Sequence, residues 1–141
     1  MQNVVQLVSR IFLSLPFVIF GYLQFTNISA YAANPAIVKF SNFVDGALSP
    51  TVLAWMVAAI DLIGGLLLVF GLQTRAAAAV LCIFVFLTLY FTHSYWTMEG
   101  PARAANQAHF YKNLALIGGL LLILNFGAGA YSLDGWFKRK A

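Results

Sequence analysis

Four stretches of the chain run almost without polar interruption, and each is long enough to cross a bilayer as a helix, for which about 20 mostly apolar residues are needed. Residues 4–25 are broken by Gln6, Ser9, Arg10 and Pro16, residues 52–72 only by Asp61, and residues 76–93 carry no charge before His93. The fourth stretch, 109–128, is the weakest: its uninterrupted apolar centre is only 114–124, so it spans if Lys112 snorkels outward and residues 127–131 complete the length. Residues 71–75 form a tight turn, which makes helices two and three antiparallel neighbours. The pattern predicts an all-α integral membrane protein, a four-transmembrane-helix bundle built from two helical hairpins in a single domain over residues 1–141.

The two remaining connections differ. Residues 26–50 are long for a loop and predict a short helix: Asn34 suits its cap and Pro35 its first position. Ile37, Phe40, Val44 and Ala47 then share one face. A short amphipathic helix lying on the outer interface is one reading; a helix packed only on protein is the other. Gly100-Pro101 is read as a turn in the loop 94–108.

Composition narrows the class further. Of 141 residues, 62% are hydrophobic and 9% charged, against roughly 45–50% apolar and about 25% charged in soluble domains. Disorder is excluded by the same figures. The net charge of +4 forms no basic stripe and no zinc spacing exists, so nucleic acid is not an expected partner. With four helices both termini share one side. That side holds Arg10, Arg75, Lys138, Arg139 and Lys140, against Lys39, Arg103 and Lys112 on the other, which predicts cytoplasmic termini. Ala30-Tyr31-Ala32 after the first apolar run resembles a signal-peptide cleavage site. The run exceeds the usual h-region of about 7–15 residues, however, so it is expected to remain as the first span. Lone Cys82 is expected to be inert packing.

An internal echo links the hairpins: Leu62-Ile-Gly64-Gly65-Leu-Leu-Leu68 recurs as Leu116-Ile-Gly118-Gly119-Leu-Leu-Leu122. Gly64, Gly65, Gly118 and Gly119 are read as structural residues, flat patches where another backbone approaches closely. Two like-oriented hairpins related by an axis along the membrane normal are one reading of the echo; compositional likeness between Leu-rich helices is the other.

Asp61 is the most informative polar position. An unpaired acid at such depth costs roughly 2.5–3.5 kcal/mol on insertion scales, so Asp61 is expected to be protonated, paired or watered, with Arg10 as its candidate partner. Arg10 snorkelling to headgroups is the alternative. A second group falls at helix ends in one expected layer near the outer face: Gln24 and Asn27, then Thr92, His93 and Ser94, then His109, Lys112 and Asn113. Such a layer suits the polar head of an amphiphile. A quinone needs donors for two carbonyls and a proton carrier, roles open to His93, Lys112 and Asp61. Ordinary helix-end polarity explains the same layer. His93 and His109 lack metal-ligand spacing, and no metal is expected.

Three strings are similar to the DoxX family of small bacterial inner-membrane proteins. They are Phe91-Thr-His93-Ser-Tyr-Trp96, Phe110-Tyr-Lys112-Asn113-Leu-Ala-Leu-Ile-Gly118-Gly119, and Gly127-Ala-Gly129-Ala-Tyr131-Ser-Leu-Asp134. Asp61-Leu-Ile-Gly64-Gly65, Gly71-Leu-Gln-Thr74-Arg75 and Arg10 with Gly21 and Phe25 resemble it too. The resemblance covers nearly the whole chain and implies a four-helix bundle in the bacterial cytoplasmic membrane. The family commonly carries Glu at the place of Asp61 and a Lys or similar residue near Gln24. Some relatives are linked to thiosulfate:quinone oxidoreduction or to thiol-oxidative defence complexes. This chain has one cysteine, so no dithiol relay forms within it. A quinone-linked oxidoreductase component is therefore one expected function, with Asp61 and His93 as catalytic candidates and Gln24, His93, His109, Lys112 and Asn113 as cofactor-binding candidates. A non-enzymatic anchor or assembly partner for a redox complex is a second, and a small transporter or lipid-binding module a third. Membrane lipids, a partner redox protein and a second copy of the chain are the expected partners.

Overall fold

The computed structural model describes residues 1–140. Its four long helices are each apolar enough to cross a membrane. They are α1 (Gln2–Thr26), α4 (Pro50–Phe70), α5 (Thr74–Phe91) and α6 (Gly100–Phe126), with α2 (Ile28–Ala32) and α3 (Pro35–Phe43) between the first two and α7 (Leu133–Lys140) at the end.

The boundaries follow local chemistry. Asn34 accepts a hydrogen bond from the Ala36 amide at 2.9 Å and Pro35 opens α3. Ser49 accepts from Val52 N and Pro50 opens α4 two residues before the periodic apolar run. Gly71, at φ 66°, closes α4 in the left-handed conformation, a conformation that favours glycine. The largest departure from the sequence pattern is α6, which begins nine residues before 109. Gly100-Pro101 does not turn the chain but starts this helix, with Pro101 in its first turn, where a missing N–H costs nothing. At 27 residues α6 is about 40 Å long, against a hydrocarbon core of about 30 Å, so part of it stands outside the bilayer. The loop helix is also shorter than its apolar face suggested: Val44 and Ala47 lie beyond the end of α3. Its Ile37 and Ser41 are buried and it packs on α4 and α5, while Phe43 on its outer side is exposed.

The helices form an incomplete ring. α1 lies along α4, α4 along α5 and α5 along α6, but α1 and α6 barely meet. The core is Phe17, Leu68, Ala77, Ala78, Leu81, Val85 and Leu120. Only Leu120 of α6 is buried. The echoed glycines consequently have different neighbours. A Cβ on Gly65 would meet Val18 and Phe17 of α1, one on Gly64 would meet Leu81 of α5, and one on Gly119 would meet Leu13 of α1. Gly118 has nothing within 4 Å, so its expected role as an internal packing patch does not hold: α6 is the end of the row and that face has no helix against it.

At the α7 end a polar knot ties the termini to the bundle. Arg10 reaches from α1 to the carbonyls of Ala128, Tyr131 (2.9 Å) and Val69 (3.4 Å). Asp134, in the first turn of α7, accepts from Gln73 N (2.8 Å), Thr74 N (2.9 Å) and Thr74 Oγ1 (2.7 Å). Its own amide donates to the carbonyl of Gly71 at 2.9 Å.

Candidate functional site

The expected pairing of Arg10 with Asp61 is absent. Positions 61 and 69 are about 12 Å apart along α4 at roughly 1.5 Å per residue, and Arg10 is held at the Val69 level. Asp61 is instead joined to Gln24, whose Nε2 donates to Oδ2 at 3.2 Å. The reason is register: α1 and α4 are antiparallel, Gly21 packs on Leu62, and this brings the end of α1 beside Asp61. Asp61 is 4% exposed. Gln24 Oε1 is buried with no partner, as is Arg10 Nε.

The single outer layer expected from the sequence divides into three places. Gln24 belongs to Asp61. Lys112 lines an open cleft of about 560 Å³ between α1 and α6, with Ser9, Arg10 and Leu13 opposite. His93, His109 and Asn113 stay together where α5 meets α6. The two imidazoles stack, with centroids 5.2 Å apart and planes at 16°. His93 Nδ1 lies 3.0 Å from Asn106 Oδ1, and Asn106 Nδ2 donates to Ala102 O at 3.0 Å. With the amide so oriented, Nδ1 carries the proton and Nε2 is the open acceptor of His93. Asn113 Nδ2 donates to Thr88 Oγ1 at 3.3 Å, and Thr88 donates to Val85 O at 2.7 Å.

Thr88 and Thr92 form the polar edge of a cavity of about 220 Å³ roofed by α2 and α3 and walled by α4 and α5. Ile37, Phe40, Met56, Ile60 and Phe91 are among its apolar lining, and Tyr31 closes one side. The roof is pinned by ring contacts of Phe40 and Phe43 with Phe91 at 4.8 and 5.4 Å. Burial, with the Asp61 carboxyl adding to it, pushes the Tyr31 phenol up to about 12, so Tyr31 is a hydroxyl donor at every physiological pH. The volume is several times the roughly 30 Å³ of a liquid water and below the 300–1,000 Å³ usual for drug-sized ligands. It suits a ring or a chain end.

Tyr31, Thr88, Asn106 and Asp134 are the residues that sequence reasoning left out. Asn106 lies one turn from His109, a signal available once α6 is known to begin at Gly100. Tyr31 carried no signal beyond its place between two alanines. Among the described residues no three of His, Cys, Asp or Glu gather as a metal site.

The DoxX family profile matches residues 5–94. Inner membrane protein YphA of Escherichia coli (strain K12) is 30% identical over 138 residues, covering 94% of this chain and 90% of that protein. Inner membrane protein YqjF of the same strain is 31% identical over 140 residues, 99% of this chain and 97% of its own. ER-derived vesicles protein ERV29 of Saccharomyces cerevisiae is 32% identical over 81 residues, 57% of this chain but 26% of that protein. No solved structure matches. Four apolar helices, a profile over most of the chain and full-length inner-membrane relatives agree: this is a multi-pass inner-membrane protein and it belongs to the DoxX family.

Proposed function

We propose that the chain is the membrane component of a quinone-linked oxidoreductase system, binding the ring of an isoprenoid quinone in the cavity beneath α2 and α3, with both termini in the cytoplasm. The observation that carries this reading is the composition of that cavity. Its walls are apolar, while hydroxyls of Tyr31 and Thr92 stand on two different elements of its lining, two donors for a group with two carbonyl acceptors. A bound quinone would supply two-electron chemistry, with the electrons coming from a partner redox protein, since the chain holds one cysteine and no pair. His93, next in sequence to Thr92, keeps Nε2 open to take or give a proton. Its Nδ1 side is fixed by Asn106 and its ring by the stack on His109. Asn113 holds Thr88 in place and is a positioning residue here.

Gentle purification, organic extraction and mass spectrometry test this. The expected result is quinone at close to one per chain, lost when Met56→Trp fills the cavity and reduced in Thr92→Val. Phospholipid alone in the extract, or quinone retained by Met56→Trp, would overturn the assignment and favour a non-enzymatic anchor.

A further inference from the structure

A second cleft, of about 750 Å³, lies at the opposite end of the bundle, between α7 and the ends of α5 and α6. Its rim carries Arg75, Lys138 and Arg139, and Phe126 and Phe137 line its apolar part. One carboxylate, Asp134, stands among these cations, and its oxygens are already taken by Gln73 and Thr74. The charge of Lys138 acts on it. The two guanidinia find only carbonyls: Arg75 Nη2 donates to Asn125 O at 3.1 Å, while Arg139 donates through Nε to Gly135 O and through Nη2 to Ala130 O. A carbonyl offers only partial negative charge, so the site keeps a net positive charge, and each guanidinium keeps further N–H groups for a forked contact with phosphate oxygens.

The cleft sits where α5 begins and α6 ends, at the level of the lipid headgroups. Tyr131, Trp136 and Phe137 are exposed around it, the side chains that settle at a membrane interface. Lys140 lies 3.9 Å from the centroid of Trp136, adding charge at the same level. We propose that this cleft is a binding site for the phosphodiester headgroup of an anionic phospholipid, gripped by Arg75 and Arg139, with the first acyl carbons against Phe126 and Phe137.

The full chain, reconstituted in phosphatidylcholine with trace spin-labelled phosphatidylglycerol or phosphatidylcholine, reads this directly as the fraction of motionally restricted label. A basic residue near the surface is worth roughly fivefold in anionic-lipid affinity. The restricted fraction should therefore favour phosphatidylglycerol by about fivefold or more for each basic side chain in reach, and Arg75→Gln/Arg139→Gln should remove the share of the two arginines, leaving only what Lys138 and Lys140 supply. The lysine pair Arg75→Lys/Arg139→Lys should keep part of the preference. Arg103→Gln, at the other end of α6, should keep all of it. Retained helicity by circular dichroism qualifies each variant, and Arg139→Gln alone, with a partial loss, serves if the double variant does not fold. No preference in the wild type, a preference undiminished in the double Gln variant, or one lost equally in Arg103→Gln overturns the site. Release of the label by millimolar glycerol phosphate would also overturn it, in favour of a soluble phosphate ester.

Discussion

Replacing Asp134 with alanine should loosen the α7 end without touching the helix faces. The carboxylate accepts three hydrogen bonds from the turn between α4 and α5. The donors are not equivalent. Gln73 is exposed, and its amide will find water. Thr74 is fully buried at 0%, so its amide and hydroxyl lose their acceptor with no replacement. A buried donor left unpaired costs about 1–3 kcal/mol, which puts Asp134→Ala at about 2–6 kcal/mol for the two. Gln73 holds φ 44°, a left-handed conformation that costs a non-glycine residue roughly 1–2 kcal/mol; the bond from its amide to Asp134 helps to hold it there, and relaxation of this residue in the variant offsets part of the loss. In lipid nanodiscs at neutral pH, hydrogen exchange of the Thr74 amide should accelerate about 30- to 25,000-fold, the same energy expressed as a ratio. Asp134→Asn, which keeps one acceptor oxygen, should fall between. Exchange unchanged within threefold in Asp134→Ala would refute the reasoning, because water would then be reaching Thr74 already.

The same group predicts a pH dependence. Burial pushes the Asp134 carboxyl up, but the bonds from Thr74 and Gln73 and the charge of Lys138 together outweigh it and hold the carboxyl below the usual carboxylate value. A depressed native value stabilises the folded form above the unfolded carboxylate value of about 3.9 and loses that contribution as pH falls through the native one. The thermal midpoint of wild type should exceed that of Asp134→Asn at pH 7, and the gap should close below about pH 3.9.

The glycine pairs and Arg10 give two further outcomes. Gly65→Leu places a side chain where Val18 and Phe17 already stand, whereas Gly118→Leu enters open space. The first should destabilise the bundle by several kcal/mol, of the order found for overpacking and beyond, and the second by under about 1 kcal/mol, as measured by unfolding in mixed micelles. Arg10→Lys keeps the charge but gives up the fork that reaches Val69, Ala128 and Tyr131 together; unfolding in mixed micelles should show a loss of about 2–3 kcal/mol, one to two charge-assisted hydrogen bonds.

The four spans were legible because lipid leaves a single-period signal: every residue along about 20 positions must be apolar, and a few exceptions stand out. Caps at Asn34-Pro35 and the turn at Gly71 were legible because their chemistry is local. The start of α6 was not, since residues 100–108 stand outside the apolar stretch and obey no membrane pattern; Gly100-Pro101 opens a helix as readily as it makes a turn. Partners of the polar residues were the hardest to read. Gln24 and Lys112 sit at helix ends by sequence count, yet the angle at which each leaves its helix sends one to α4 and the other to the α1–α6 cleft. Register between helices decides such pairings, and no single helix carries that information.

Two buried ionisable side chains occupy the same fold for different reasons. The acceptors of Arg10 are carbonyls in the last turn of α4 and in the chain just past α6. Helix C-terminal carbonyls lack intrahelical donors and gather negative partial charge, so a cation there answers a need that the backbone itself creates. Asp61 answers none. It lies within α4, where every backbone group is already paired along the helix, and its one partner is the amide of Gln24, whose own oxygen is buried and unpaired. Replacing such a pair by apolar side chains of similar volume is often neutral or stabilising. The packing of α1 on α4 is supplied by Gly21 and Gly65 and does not require an acid between them. The architecture accounts for Arg10 and leaves Asp61 over, beside Tyr31 and one residue from the cavity wall at Ile60.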